Sequence, residues 1–281
     1  MRLLATLLAA AVTAAAAGAA TPAQDAARYL DSRQTAEGGF AEPNGPATPG
    51  LTAWAVLGLR AAGRTPASLE TARVFLARSE GALESATDLQ LVLTARAALG
   101  ERPAALIERL QALVRPDGRI GPSVNSTMWG AIALRAVGRP VPTSTRRWLL
   151  RRQRPSGGWS WSLRGAPDSN DTAAAVQALR AAGVRGRPID RALAFIARSR
   201  NADGGFELTE GRGSDVQSTA WAVQAYVAAG RRPPVAAFRY LARMRRADGS
   251  YRYSARYVAT PVWVTSQAAA ALARKPLPLR D

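Results

Sequence analysis

The chain has 281 residues and contains neither cysteine nor histidine. Structural zinc needs thiolate or imidazole ligands, so an ordinary zinc site is excluded. Disulfides, thiol nucleophiles and a Ser-His-Asp triad are excluded for the same reason. Lysine is almost absent too: of 38 basic residues only Lys275 is not arginine. Acid–base chemistry is therefore left to carboxylates, Tyr, Lys275 or water. Aromatics make up only 6% of the chain, and no motif for nucleic acid is present, so nucleic acid is not an expected partner. Apart from the first residues, no run is long and uncharged enough to span a membrane.

What remains is 47% hydrophobic, enough for a sizeable core, with 20 acidic residues and a formal charge of +18. Such a charge suits an anionic partner, such as a membrane surface or an envelope polymer. It is equally the product of an Ala- and Arg-rich composition. The first residues read as an export signal: Met1-Arg2, an apolar stretch from Leu3 to Ala17, then Ala17-Gly18-Ala19 as a small-residue cleavage pattern. Residues 1–19 are thus expected to be a signal peptide. Residues 20–281 are expected to form one domain, secreted or otherwise extracytoplasmic.

Internal repetition is the strongest signal. LTAWAVLGLRAAG (Leu51–Gly63), STMWGAIALRAVG (Ser126–Gly138), DTAAAVQALRAAG (Asp171–Gly183) and STAWAVQAYVAAG (Ser218–Gly230) are copies of one pattern. DLQLVLTARAALG (Asp88–Gly100) is a weaker copy, and Pro261–Ala273 is one that has lost its glycine. Each opens on Ser, Thr or Asp in most copies, which can cap a helix. Each is Ala- and Leu-rich within. Glycine then supplies a left-handed stop. Before each copy lies a second helix with Arg on one side and Leu, Phe, Tyr or Trp on the other, as in Asp25–Gln34, Thr71–Glu80, Ala105–Val114, Thr145–Arg154, Asp190–Arg200 and Ala236–Arg246. The amphipathic helices predict an outer layer, and the uniformly apolar ones an inner layer. Neither the first nor the last copy carries the polar face an open stack needs at its ends, so six hairpins are expected to close. The fold class is all-α, an (α/α)6 toroid of six inner and six outer helices.

The loops carry a second repeat, Q-x-x-x-G-G-[FW]: QTAEGGF (Gln34–Phe40) and QRPSGGW (Gln153–Trp159), with RNADGGF (Arg200–Phe206) and RRADGSY (Arg245–Tyr251) as relatives and VRPDGRI (Val114–Ile120) degraded. Its glycine permits a tight turn, its aromatic packs beneath the loop, and its Gln can satisfy helix-end carbonyls.

With these loops between alternating helices, the chain resembles the terpenoid cyclase and protein prenyltransferase α/α-toroid superfamily, and QRPSGGW looks like the QW motif of squalene–hopene cyclases. The resemblance covers nearly all of residues 20–281. It implies an apolar cavity on the ring axis and an isoprenoid or similar ligand. Protonating cyclases carry Asp-x-Asp-Asp-Thr-Ala at an inner-helix entry, and this chain has Asp168-Ser169-Asn170-Asp171-Thr172-Ala173. Asp168 and Asp171 match the flanking carboxylates, while the family's proton donor is replaced by Asn170, a carboxamide that cannot serve as an acid. Asp171 has a second reading as a helix N-cap. Squalene-type cyclases resemble two fused toroids, and this chain has residues for one. Protein prenyltransferases need a zinc site containing Cys and His, and complement-type thioester domains need Cys, so neither chemistry fits.

Repeat alignment puts Trp54, Trp129, Trp221 and Trp263 at one position, either packed between the rings or lining a cavity as an aromatic collar for isoprenoid chains or cations. Arg60, Arg135 and Arg180 align just before the stop glycines and, with the loop arginines beyond them, predict an arginine-rich rim. The function expected from the sequence is binding of an apolar or amphiphilic, isoprenoid-like molecule without catalysis, and without metal or cofactor. An unusual terpenoid cyclase using Asp168 and Asp171 is the alternative, and a rim-mediated scaffold for an envelope partner is a third.

Overall fold

The computed structural model describes residues 20–279. The expected signal peptide lies outside the described residues. These contain twelve α-helices. Six form the outer layer: α1 (Pro22–Asp31), α3 (Glu70–Arg78), α5 (Ala104–Ala112), α7 (Thr143–Arg151), α9 (Arg187–Arg198) and α11 (Val235–Met244). Six form the inner layer: α2 (Pro49–Ala61), α4 (Ala86–Ala98), α6 (Val124–Ala136), α8 (Ser169–Ala181), α10 (Val216–Ala228) and α12 (Pro261–Leu272). Each inner helix packs on the next, and α12 packs on α2, so the toroid is closed.

The inner helices start and stop for local reasons. Thr48, Ser85, Ser123, Asp168 and Asp215 are the N-caps of α2, α4, α6, α8 and α10, each accepting from the backbone N–H three residues on. The caps therefore lie one turn earlier than the repeat pattern suggested. Asp171 is not a cap, because Asp168 holds that place. The stop glycines Gly63, Gly100, Gly138, Gly183 and Gly230 all have positive φ, as expected, and Arg274 takes the left-handed conformation after α12 (φ 54°).

The Q-x-x-x-G loops bind each hairpin to the next. The backbone N–H groups of Phe40, Ile120, Trp159, Phe206 and Tyr251 donate to the hydroxyls of Thr52, Thr127, Thr172, Thr219 and Thr265 on the inner helices. Gln34 Nε2 donates to the Gly38 carbonyl and to Thr71 Oγ1 on α3. Gln153 Nε2 donates to the carbonyls of Gly157 and of Pro188 on α9. The glutamines thus tie the loop to the first turn of the next outer helix, rather than sealing the end of their own.

Closure uses the same parts. At Gly58 of α2 an added Cβ would sit 2.7 Å from the Ser266 carbonyl oxygen of α12, so the two backbones touch. The last loop folds onto the first outer helix, where a Cβ on Gly249 would lie 2.6 Å from the Asp25 carbonyl oxygen. Arg245 pairs with Asp25 at 2.6 Å. Thr260 makes no side-chain cap, and the Glu42 carboxylate caps α12 instead, accepting from Val262 N–H and Trp263 N–H at 2.9 Å each. Two partners 220 and 221 residues apart are joined there.

Candidate active site on the toroid axis

The loop-anchoring threonines define a common register for the inner helices. Two residues after them stand Trp54, Trp129, Ala174, Trp221 and Gln267, and repeat alignment puts Leu91 at the same place in α4, where Leu89 replaces the threonine. The three indoles meet edge to face. Ring centroids are 5.5 Å apart for Trp54 and Trp129, 6.1 Å for Trp54 and Trp221, and 6.0 Å for Trp129 and Trp221. Only side chains that point to the axis from three of six helices can meet this way. Gln267 completes the level by accepting from Trp221 Nε1 at 2.8 Å.

Two expectations are corrected here. Trp263 does not belong to the trio: it lies two residues before Thr265, not two after, and Gln267 holds the equivalent place. The axis is also not an empty hollow. Trp129 and Trp221 are each only 5% exposed, because three inward indoles are large enough to fill the ring at that level.

The opposite end is occupied by the chain's own tail. Leu277 N–H donates to Gln177 Oε1 at 2.6 Å, and the Leu277 side chain is buried. Two clefts of about 200 and 270 Å³ flank this tail, one against Thr94, Ala98 and Ala136, the other against Ala181 and Ala228. Arg60 and Arg180 face this end and work as staples between helices. Arg60 Nε donates to the Ala98 carbonyl at 2.7 Å, and Arg180 Nε to the Ala228 carbonyl at 2.9 Å, each at the C-terminus of a neighbouring inner helix. Arg60 and Arg180 also donate to the carbonyls of Arg64 and Val184. Arg135 is exposed.

Asp168 and Asp171 lie at the other mouth, where the inner helices begin. Asp168 Oδ1 accepts from Asp171 N–H at 2.8 Å as the α8 cap. Asp171 Oδ1 accepts from Asn125 Nδ2 at 2.7 Å across the groove to α6. Asp171 is 6% exposed, and burial, then the neighbouring Asp168 charge and a side-chain hydrogen bond to Asp168, push its pKa up to about 8, against the opposing bond from Asn125. Burial also raises Asp168, while the bond from Asp171 works in the other direction. Both shifts run upward, so the pair resists double ionisation, and Asp171 is the carboxyl whose neutral form the site favours. Asp171 precedes Ala174 by three residues and so shares its helix face. That places the acid above the small residue in the ring of indoles. The roof is formed by loops: Trp161 accepts from Asn125 N–H through its carbonyl, and Leu208 likewise from Ser169 N–H. Trp161 and Leu163 in the loop before α8, and Tyr257 in the loop before α12, are large and exposed.

Asn125 escaped the sequence reading, although its signal was present. It occupies the same register position in α6 that Asn170 occupies in α8, and neighbouring copies must face one another in a closed ring.

Known proteins place this geometry. The model of the prenyltransferase alpha-alpha toroid domain matches residues 1–84 and 123–257. A drimenyl diphosphate synthase from Streptantibioticus cattleyicolor is 30% identical over 202 residues, which is 64% of this chain and 38% of the synthase. A second, from Streptomyces showdoensis, is 36% identical over 119 residues, 38% of this chain and 22% of that protein. The chain thus matches well under half the length of these curated relatives. Among solved structures, the type II terpene cyclase MstE from Scytonema, in complex with geranylgeranyl dihydroxybenzoate, superposes with a TM-score of 0.70 at 15% identity, over 90% of this chain and 96% of the other. A protein from Actinoplanes superposes with a TM-score of 0.67 at 20% identity, over 90% and 98%. At these identities the superpositions speak for the fold. This chain belongs to the prenyltransferase alpha-alpha toroid family, with a terpenoid-cyclase-like toroid.

Proposed function

We propose that the protein is a protonation-initiated terpenoid cyclase whose acid is Asp171. The observation that carries this reading is a buried carboxyl at the mouth of the aromatic axis, held by Asn125 at 2.7 Å and set beside Asp168, where burial and the neighbouring charge favour its acid form. Its relatives by sequence include drimenyl diphosphate synthases, and a structurally similar single toroid of matching length is a type II terpene cyclase, which supports it. Size is therefore no obstacle to such chemistry in one toroid.

In this reading an isoprenoid chain approaches over the apolar loops at Trp161 and Leu163. The Asp171 Oδ–H bond breaks and its proton adds to a terminal alkene carbon, the π pair forming the new C–H bond. The adjacent carbon becomes cationic and is attacked by the next alkene of the same chain. Loss of a proton ends the sequence, and Asp171 is reprotonated from water. The Trp54, Trp129 and Trp221 rings offer π faces to the cation once the substrate parts them. Asn125 holds the Asp171 carboxyl in place before and after transfer.

A second reading, binding without turnover, is favoured by Asn170 at the position where cyclases of this family carry their acid. Product analysis by gas chromatography and mass spectrometry separates the two. Incubation with farnesyl diphosphate, geranylgeranyl diphosphate and squalene should yield a cyclic product from one of them, absent with Asp171→Asn. Unchanged linear substrate in all three, with a bound isoprenoid retained on the protein, would establish binding alone.

A further inference from the structure

A further cavity, of about 470 Å³, lies away from the axis, at the closing seam between the start of the first outer helix, α1, and the last, α11, over the ends of α2 and α12. Its walls are mostly small or apolar, among them Ala23, Ala61, Phe238 and Leu272. The volume lies within the range of small-molecule sites. Tyr251 is fully buried and lines this cavity, and its hydroxyl has no hydrogen-bond partner. A buried hydroxyl without a partner is costly, so its presence asks for an occupant.

The repeat gives an internal comparison. Phe40, Ile120, Trp159 and Phe206 occupy the same place in the other loops, each fully buried. Three carry no polar side-chain atom. The fourth, Trp159, donates its Nε1–H to the Leu149 carbonyl at 2.8 Å. Tyr251 is the exception, a hydroxyl placed where the fold needs only a ring. Two arginines share the cavity wall with it. Arg245 lines the cavity and pairs with Asp25, and Arg274 lines it while lying over the Phe238 ring at 4.9 Å. Each pairing uses part of the five N–H donors of a guanidinium. Burial pushes the Tyr251 pKa up to about 12, so the hydroxyl is a neutral donor at any physiological pH.

We propose that this seam cavity binds a small anionic amphiphile, its acid oxygen accepting from the Tyr251 hydroxyl in a cavity that Arg245 and Arg274 also line, and its apolar tail lying on Phe238, Leu272 and the alanines. This site is independent of Asp171 and of any cyclisation on the axis.

Isothermal titration of the full chain at pH 7 with sodium octanoate, octyl phosphate and 1-octanol tests it. Saturable one-site binding of octanoate or octyl phosphate, with octanol much weaker, is expected, and the tighter of the two identifies the head group. Tyr251→Phe keeps the ring that the chain itself uses at Phe40 and Phe206, so it should fold and lose affinity about tenfold or more. Ala242→Trp, on the exposed wall of the cavity, should abolish binding while leaving the circular dichroism spectrum intact. Binding that is equal in wild type and Tyr251→Phe, equal for octanol and octanoate, or absent for both acids would overturn the proposal.

Discussion

Ring closure can be tested at one glycine. At Gly58 an added Cβ would lie 2.7 Å from the Ser266 carbonyl oxygen, 2.9 Å from its Cα and 3.1 Å from its carbonyl carbon. All three are backbone atoms of α12, so no side chain can swing aside, and the helices must separate. Overpacking of this kind costs about 1–3 kcal/mol. Replacing glycine by alanine within a helix returns up to about 1 kcal/mol of intrinsic propensity. With three backbone atoms this close the upper half of that cost applies, about 2–3 kcal/mol, so the net for Gly58→Ala is a destabilisation of about 1–2 kcal/mol, or roughly 2–8 °C in Tm for a domain of this size. Gly58→Val should cost more, since its branch adds bulk at the same contact. Gly81, where an added Cβ meets nothing within 4 Å, is the matched control, and Gly81→Ala should leave Tm nearly unchanged. Differential scanning calorimetry of the variants reads the effect. If Gly58→Ala melts at or above the wild-type temperature, α2 and α12 do not meet as described, and the closed ring fails with them.

The proton on Asp171 has a thermodynamic signature. In the unfolded chain that carboxyl ionises near pH 4, and in the folded protein only near pH 8, so between them the folded state binds the extra proton. Its contribution is complete at low pH and is lost as pH rises, at up to about 1.4 kcal/mol per pH unit. Urea unfolding of wild type minus Asp171→Asn should slope downward from pH 5 to 8 and flatten above; parallel curves would place the proton elsewhere. Glu42→Ala removes the cap of α12 and should cost about 1–2 kcal/mol in the same assay, whereas an unchanged midpoint would show that water replaces the carboxylate at no cost. The signal-peptide expectation predicts a mature protein beginning near Ala20, checked by intact mass of exported material; retention of Met1–Ala19 would refute cleavage.

The ring was legible because each helix announces itself twice, by its pattern of burial and by its punctuation. The stop glycines and the outer-helix positions fall where the repeat put them, within a few residues. The cap positions were one turn out, because Ser, Thr and Asp occur both at the cap and three residues beyond it, as in Ser123 and Ser126. That offset hid the difference between Asp168, which caps, and Asp171, which is left to face Asn125. Trp263 was misplaced because α12 opens on Pro261 and lacks a stop glycine, so only the Tyr251–Thr265 bond reveals its register. The filling of the axis was not legible at all. Whether three indoles line a hollow or meet across it depends on the ring's radius, which no single helix encodes. The docking of Leu277 on Gln177, 100 residues away, is likewise a property of the assembled ring.

The most direct measurement of the proposed chemistry is the isotopic course of the reaction. With farnesyl diphosphate, geranylgeranyl diphosphate or squalene in D2O, a cyclase that uses the exchangeable proton of Asp171 should give a cyclic product carrying one deuterium at the carbon first protonated. Asp171→Asn should give none. A cyclic product free of deuterium, or one formed equally well by Asp171→Asn, would contradict the assignment of Asp171 as the acid.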